Sequence, residues 1–281
     1  MNRVLFSIVT FLVTVPTVLA NTPQKKLYEQ AWQLFLDRER GVETTRNCVS
    51  TARRAANAAV DAGDKEVQFE AFILESRCLY YEGMLVPEAE TPNRPKMAVH
   101  ERGMNAAKEA LKVEPNRAEG HYYLAINHGR YGLAAGVDNV LEERTDLKRA
   151  AETAMRKKAI IDGKTVVGRE IDCWGPARTL GWMYFKLPIT HDGNKAAALD
   201  LLGKAYENCN ADPKKKQYPN SLNVIYYSTV LVDRGQKEKA KQVLDELIRF
   251  EGNPAAYNPE RVPETRMDIR DAKIFRKSLG N

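Results

Sequence analysis

Histidines, cysteines and one glycine-containing stretch are the residues whose types and spacing could carry chemistry in this sequence. Four histidines could in principle bind a metal ion: His100, His121, His128 and His191. His121 and His128 stand seven residues apart on one predicted helix, which separates them by roughly 10 Å along its axis and keeps one ion from contacting both. We therefore interpret the histidines as polar or packing residues and expect no metal site.

The stretch Gly163-Lys164-Thr165 resembles the end of a phosphate-binding loop. Such a loop needs a glycine at position 158, where this chain has Lys158, and it follows a strand, whereas a helix is predicted before this stretch. The signature motifs of serine hydrolases, zinc proteases and dinucleotide-binding proteins do not occur in the sequence. Most carboxylates stand beside Lys and Arg on predicted helical faces, where a solvated role is usual. We expect neither an enzyme nor a cofactor.

The four cysteines form two pairs, and each pair is symmetric about a predicted turn. Cys48 and Cys78 are centred on Gly63, and Cys173 and Cys209 are centred on the next strong break in the helical pattern. In an antiparallel helical hairpin, residues equidistant from the turn lie side by side, within reach of a disulfide. Four cysteines allow three connectivities, and only this one has the symmetry. We predict two disulfides, 48–78 and 173–209; the alternative is four free buried thiols.

Residues 1–20 have the pattern of a secretory signal peptide. Arg3 supplies the positive charge, residues 4–15 are mainly apolar, and small residues precede the predicted cleavage site. The alternative is a membrane anchor, which needs about 20 apolar residues and so a longer run than this one. The residue after the cleavage site is Asn21, so a cysteine for lipid attachment is lacking. We expect an exported, soluble, periplasmic protein, in a compartment where oxidising conditions favour disulfides.

Charge and composition limit the classes of partner. The hydrophobic share of 43% supports an ordinary folded core, and the net charge of +6 is small for 281 residues. Because the sequence contains no block of Lys and Arg with interleaved aromatic residues, we expect no nucleic-acid partner. Beyond the signal peptide no segment is apolar enough to cross a membrane, so we expect no membrane span in the mature chain.

Nearly every stretch between Pro, Gly, Asn and Asp breaks has the apolar spacing of an α-helix. We therefore predict an all-α fold in which residues 21–281 form a single helical-repeat domain. Residues 83–95, which contain three prolines, are predicted to be an irregular loop, and residues 139–161 one unusually long helix. A charged helix within residues 258–277 is predicted to cap the apolar end of the stack.

Residues 97–132, 175–209 and 221–250 resemble the tetratricopeptide repeat (TPR), a unit of two antiparallel helices. The matched positions include Ala118, Leu124, Ala125, Leu180, Gly181, Tyr184, Ala198, Leu231 and Ala240. Small residues at such positions let paired helices approach, and large ones fill the groove between them. The resemblance implies a TPR-like α-solenoid of antiparallel helical hairpins with a C-terminal capping helix.

A second resemblance extends over roughly residues 97–250. The segments 121–125, 175–188 and 193–205 are similar to the T-component family (TatT) of tripartite ATP-independent periplasmic (TRAP) transporters. This resemblance implies a periplasmic, oligomeric protein that associates with the solute-binding protein of a transporter and holds a ligand in an apolar cleft. The chain departs from the family in lacking the lipidation cysteine of membrane-tethered members.

In a TPR stack the first helix of each unit lines the concave wall. Carried over position by position, the resemblance assigns six binding residues to that wall: Tyr122, Ile126, Arg130, Arg178, Trp182 and Phe185. The third unit would add Ile225, Thr229 and Asp233. An aromatic ring beside a guanidinium suits a peptide, a carboxylate or a flat organic ligand. The alternative for the aromatic residues is packing between helices, and the alternative for Arg178 is a surface charge.

The sequence thus predicts a non-enzymatic periplasmic interaction protein. By resemblance to the T-component, it would dock a solute-binding protein, hold a small apolar or acidic ligand in a helical cleft, or do both. The alternative is a generic TPR scaffold for cell-envelope assembly or secretion, which would bind a peptide segment in an open groove. An exported enzyme would instead need titratable groups that converge at the floor of a pocket.

Overall fold

The computed structural model describes residues 22–161, 163–209 and 220–280, and these form an all-α fold of helical hairpins, as predicted. The predicted signal peptide, residues 1–20, lies outside the described residues. The α-helices are α1 (Pro23–Leu36), α2 (Val42–Ala62), α3 (Lys65–Leu85), α4 (Arg94–Val113), α5 (Ala118–Ala135), α6 (Arg144–Arg156), α7 (Gly175–Lys186), α8 (Lys195–Cys209), α9 (Ser221–Asp233), α10 (Lys237–Ile248) and α11 (Val262–Ser278). Two short antiparallel strands, β1 (Lys158–Ile161) and β2 (Lys164–Val167), form a hairpin between α6 and α7.

The helices are arranged in two layers. Almost every helix packs against the next one along the chain, and the odd-numbered helices also contact one another in series, from α1 through α3, α5, α7 and α9 to α11. We call these the odd-numbered layer. The arrangement places α5, α7 and α9, which the repeat pattern assigned to the wall of a binding surface, next to one another.

Small side chains set the close packing of the N-terminal hairpin. Ala52, Ala55 and Ala59 of α2 are fully buried, and residues without bulk beyond Cβ let a neighbouring helix approach closely. Gly63 ends α2 in the left-handed conformation, with φ of 68°, which glycine adopts without steric cost. The carboxylate of Asp64 then accepts a hydrogen bond from the amide of Val67 and caps α3.

Both predicted disulfides are confirmed. Cys48 of α2 is bonded to Cys78 of α3 across a Cα–Cα distance of 6.1 Å, and Cys173 is bonded to Cys209 at the end of α8 across 5.7 Å. The first bond joins two antiparallel helices at equal distances from Gly63, which is the geometry that the sequence symmetry predicted.

The C-terminal segment reaches back to the N-terminal helices. Arg38, which follows α1 and is fully buried, forms an ion pair with Glu264 of α11 and donates a hydrogen bond to the carbonyl of Phe35. Arg77 of α3 forms a second ion pair with Glu260, at 2.7 Å. The C-terminal segment was predicted only to cap the last hairpin. It also links the C-terminal end of the odd-numbered layer to the N-terminal end.

The predicted long helix at 139–161 is wrong. Residues Val137–Glu143 form a 3₁₀ helix with a kink at Val140, α6 covers Arg144–Arg156, and the chain then enters the β-hairpin. The charged residues between 142 and 149 suggested a continuous helix, but those at 142 and 143 belong to the 3₁₀ helix and the others to α6. The β-branched residues at 160 and 161 and the turn at Gly163, with φ of 71°, favour a hairpin instead.

The predicted irregular loop at 83–95 is shorter in the structure, where α3 continues to Leu85 and α4 begins at Arg94. Gly83 lies within α3, and a glycine stands there because α4 passes close by: a Cβ atom at this position would lie 2.3 Å from Cε1 of His100. A glycine that looked like a loop signal is in fact a contact between helices. None of the helices that the structure describes is both long and apolar enough to cross a membrane.

Candidate ligand-binding cleft

A cleft opens between helices of the odd-numbered layer and the connection to α6. Its walls come from α3, α5, α6, α7, α9 and the 3₁₀ helix Val137–Glu143. Its apolar lining comes from Ile126, Leu133, Val140, Leu147, Met183 and Leu187. A concave, largely apolar site with a few polar groups is the usual form of a small-molecule site.

Two glycines of α5 provide part of the space. Gly129 and Gly132 lie on the face of α5 that borders the cleft, one helical turn apart. A Cβ atom at Gly129 would lie 3.6 Å from Leu147, and one at Gly132 would lie 3.2 Å from Val140. Because neither residue has a side chain, the wall that α5 contributes is partly bare backbone, and the residues opposite can line an open volume.

Stacked aromatic rings form one wall of the cleft. The rings of Trp182 in α7 and Tyr226 in α9 are almost parallel, at 8°, with centroids 3.9 Å apart. The Nε1–H of Trp182 is buried and has no acceptor among the described residues. Lys186 is exposed beside this wall, with its Nζ atom 4.8 Å from a ring centroid of Trp182. The wall therefore offers a flat apolar surface to the cleft.

Arg130 of α5 places a guanidinium in the same cleft. Its Nη2 donates a hydrogen bond of 3.0 Å to the hydroxyl of Tyr80, and no carboxylate of the described residues lies within 4.0 Å of it. Burial lowers the pKa of Arg130, but the surrounding Tyr226, Tyr80 and Asp268 raise it above the ordinary arginine value. The group therefore keeps its charge in a place where no acidic side chain is in direct contact with it.

Arg178 of α7 also reaches the cleft, but its donors are occupied. Its Nη2 donates to Asp172 at 2.5 Å and to the hydroxyl of Tyr122 at 3.0 Å, while Nη1 donates to Asn223 at 2.8 Å. The residue is only 1% exposed, so the surface charge considered as an alternative for Arg178 is wrong. Arg178 is part of a buried network, and its partner Asp172 was not predicted.

Asp172 is the centre of that network. Its carboxylate accepts hydrogen bonds from Tyr122 at 2.6 Å, from Asn220 at 3.0 Å and from Arg261 at 3.2 Å, in addition to the one from Arg178. Burial alone would raise the pKa of Asp172, but Arg261, Arg178 and the hydrogen bond from Tyr122 lower it to about 2. The carboxylate is therefore ionised and fully matched by its neighbours at neutral pH.

The backbone that presents Asp172 is strained. Asp172, Cys173 and Trp174 have φ of 47°, 53° and 63°, so three consecutive residues other than glycine are left-handed. Each such residue costs on the order of 1 kcal/mol, and it persists only when its surroundings hold it in place. Here the disulfide to Cys209 and the ion pair to Arg178 hold the segment directly before α7.

Four of the six predicted binding residues line the cleft: Ile126, Arg130, Arg178 and Trp182. Tyr122 does not, because it is fully buried and its hydroxyl donates to Asp172. Phe185 packs instead against the C-terminal core, with its ring centroid 5.3 Å from that of Trp182. Tyr122 and Phe185 therefore pack between helices, which was the alternative interpretation of these two residues.

The third predicted repeat lines the cleft with residues other than Ile225, Thr229 and Asp233, which the repeat pattern had assigned to it. Thr229 donates to the carbonyl of Ile225 within α9, and Asp233 pairs with Lys195, whereas Leu222 and Tyr226 line the cleft. A shift of one residue in the assigned helical phase accounts for Tyr226, which directly follows Ile225. Tyr80 of α3 lies outside the three matched repeats, so the repeat pattern had no means of indicating it.

The other candidate residues for chemistry have structural partners. His100 is buried against Asn127, and burial lowers its pKa to about 4, while His128 contacts Glu143 at 2.9 Å. Within the ranges that the structure describes, no three His, Cys, Asp or Glu side chains are grouped so that they could hold a metal ion. The stretch that resembles a phosphate-binding loop, residues 163–165, runs from a turn into β2, so no helix N-terminus is available to a phosphate there.

No protein-family model matches this chain, and no curated protein matches its sequence significantly. The cleft, its two arginines and the sequence resemblances described above are therefore the indications of function that this chain offers.

Proposed function

We propose that this protein is an exported, non-enzymatic binding protein that holds a small ligand in the cleft between α5, α6, α7 and α9. The observation that carries the proposal is the guanidinium of Arg130, which faces an apolar cleft without a carboxylate in contact. Arginine is seldom buried without an acidic partner, because a lone charge in an apolar environment is costly. A ligand that supplies the missing partner explains the arrangement.

Periplasmic localisation and docking to a solute-binding protein belong to the same proposal. The two disulfides fit an oxidising compartment, and the N-terminal twenty residues have the pattern of a signal peptide. The similarity of segments 121–125 and 175–188 to TRAP T-components supports a solute-binding protein as the partner. Both similar segments belong to helices that border the cleft, so a docked partner would stand close to the proposed ligand.

The alternative function, a TPR scaffold with an open groove for a peptide, has less support. Arg261 from the C-terminal segment reaches Asp172, and Glu260 and Glu264 pair with arginines near the N-terminus. The chain itself therefore occupies part of the surface along which a peptide would have to lie.

Two measurements test the proposal. Native mass spectrometry of the protein purified from its own cell envelope should detect a bound small molecule that denaturation releases. A photo-crosslinking amino acid at the exposed position of Lys186, beside the cleft, should capture a solute-binding protein in envelope extract, whereas one at the exposed Lys108 of α4 should not. Ligand-free protein in the first experiment would contradict ligand holding, and equal labelling from both positions would contradict docking at the cleft.

A further inference from the structure

The positive charges around the cleft are not equivalent. Arg178 is paired with Asp172, and Arg144 lies 3.2 Å from Asp192 and also donates to the carbonyl of Leu141. Lys186 is exposed at the side of the aromatic wall, where water solvates it. Among the described residues that line the cleft, Arg130 is thus the partly buried cation that lacks a carboxylate in contact.

A guanidinium without a carboxylate in contact indicates the charge of the ligand. A carboxylate can accept two parallel hydrogen bonds from one guanidinium, and this pairing is strongest where water is excluded. Besides Arg130, a second negative charge on the ligand would find only Lys186 as a lining cation without a carboxylate partner among the described residues, and because Lys186 is exposed, water screens its attraction. That second charge would also approach Glu143, which borders the cleft. The charges therefore select a monoanion over a dianion.

The walls specify the remainder of the ligand. Trp182 and Tyr226 present stacked rings, and Leu147 and Met183 add aliphatic surface opposite the bare backbone of α5. A polyhydroxylated molecule would lose its hydrogen bonds to water there without gaining replacements, since the lining is mainly apolar.

We infer that the ligand of this cleft is an organic monocarboxylate with an apolar, preferably aromatic, body. Its carboxylate binds Arg130, and its body lies against the Trp182–Tyr226 wall. This inference rests on the proposed function, because it names the class of ligand that the cleft would hold. It excludes sugar acids and short dicarboxylates as preferred ligands.

The first test compares three probes with wild-type protein: phenylbutyrate, its uncharged amide and the dicarboxylate glutarate. Titration calorimetry measures the affinities, and the fluorescence of the tryptophans, which include Trp182, reports contact with the aromatic wall. We expect phenylbutyrate to bind at least about tenfold more tightly than its amide, because a hydrogen bond to a charged group contributes more than a neutral one. Glutarate should bind more weakly than phenylbutyrate as well.

The second test assigns the charge preference to one residue. Arg130→Gln should reduce phenylbutyrate affinity at least about tenfold and leave the affinity for the amide nearly unchanged. Arg144→Gln is the matched control, because it removes a guanidinium from the same cleft that already has a carboxylate partner, and it should preserve the preference for the acid. Melting curves of both variants verify that each is folded.

The outcomes separate this inference from the proposed function. Equal affinities for phenylbutyrate and its amide, or an acid preference that survives in Arg130→Gln, would overturn the monocarboxylate while the cleft remained a binding site. Failure of wild-type protein to bind any of the three probes would overturn the inference as well. In that case a small molecule detected by native mass spectrometry would still support ligand holding, and its absence would contradict both.

Discussion

Arg130 and Arg178 come from neighbouring helices of the odd-numbered layer and reach the same cleft, yet their surroundings differ. Arg178 contacts a carboxylate at 2.5 Å and has partners for both terminal nitrogens. Arg130 has one hydrogen bond, to Tyr80, and no carboxylate of the described residues within 4.0 Å. Position at the cleft alone therefore does not distinguish an arginine that holds the fold together from one that is available to a ligand.

The difference has an energetic consequence. When a buried ion pair loses one partner, the remaining charge is left unmatched in a low dielectric, which costs about 3–5 kcal/mol. When a partly buried guanidinium that contacts no carboxylate is removed, no buried carboxylate is left without its partner. Substitutions around Arg178 should therefore cost much more stability than a substitution of Arg130, and the predictions below test that contrast.

The largest effect is expected from Asp172→Asn. The substitution keeps the shape of the side chain but leaves Arg178 and Arg261 without their shared carboxylate. We expect the free energy of unfolding to fall by about 3–5 kcal/mol, measured by urea denaturation followed by circular dichroism. The strained segment 172–174 should add to the loss, since the ion pair helps to hold it.

Asp192→Asn is the matched control for that prediction. Asp192 also contacts two cations, Arg144 at 3.2 Å and Lys148 at 3.7 Å, but its side chain is 40% exposed. Exposed ion pairs contribute about 0–1 kcal/mol, so the change should be small. Similar losses of unfolding free energy in the two variants would show that the network around Asp172 contributes no more stability than an exposed ion pair.

Much of the framework around these residues could be predicted from the sequence. Helical spacing indicated the all-α fold, and the symmetry of the cysteines about Gly63 indicated the disulfide 48–78, because both depend on local periodicity. The repeat pattern likewise placed Ile126, Arg130 and Trp182 on the side of their helices that borders the cleft.

The partners of the cleft residues could not be predicted in the same way. Asp172 lies 89 positions from Arg261 and 50 from Tyr122, and no spacing rule connects residues so far apart in the sequence. The β-hairpin after α6 was missed because a row of charges continued the helical pattern up to it. Arg178 looked like a possible ligand contact because the carboxylate that occupies it comes from an irregular segment.

A pH-dependent effect of intermediate size is expected for Asp268 of α11. Burial and Glu264 raise its pKa, while the hydrogen bond from Ser221 and the charges of Arg261 and Arg130 oppose them, and the result is about 6. The folded state thus binds a proton more tightly than the unfolded chain, whose aspartates titrate near pH 4. Wild-type stability should therefore fall by about 2–3 kcal/mol as the pH rises from 4 to 7 because of this group.

Asp268→Asn tests the sign of that contribution. The variant should lack this part of the pH dependence and be more stable than wild type at pH 7, with the difference vanishing near pH 4. Urea denaturation at several pH values gives the comparison. Asp172 should show the opposite trend, because its pKa is lowered to about 2: its ionised form stabilises the fold above pH 4, and this contribution is lost as the pH falls towards 2. If Asp268→Asn is less stable than wild type at pH 7, the raised pKa assigned to Asp268 is wrong.

A smaller effect is expected from Arg130→Met. Without a bound ligand, methionine removes an unmatched charge, fills part of the same volume and loses one hydrogen bond to Tyr80. Stability should change by no more than about 1 kcal/mol, measured by urea denaturation of ligand-free protein. The same substitution at Arg178 should instead destabilise the fold by about 3 kcal/mol, because Asp172 loses a partner. Losses of equal size at both positions would remove the distinction between the two arginines.

The smallest effect is expected from Gly129→Ala, which tests whether the cleft is open space or a packing defect. Alanine should stabilise α5 by about 0.5 kcal/mol, since glycine is a poor helix former, and its Cβ atom would meet Leu147 at an ordinary contact distance of 3.6 Å. Ligand binding should survive this change, whereas Gly129→Phe should fill the cleft and abolish binding without unfolding the protein. Calorimetric titration and melting curves measure both properties. If the phenylalanine variant still binds the ligand, the ligand must lie outside this cleft. The role assigned to Arg130 would then be wrong.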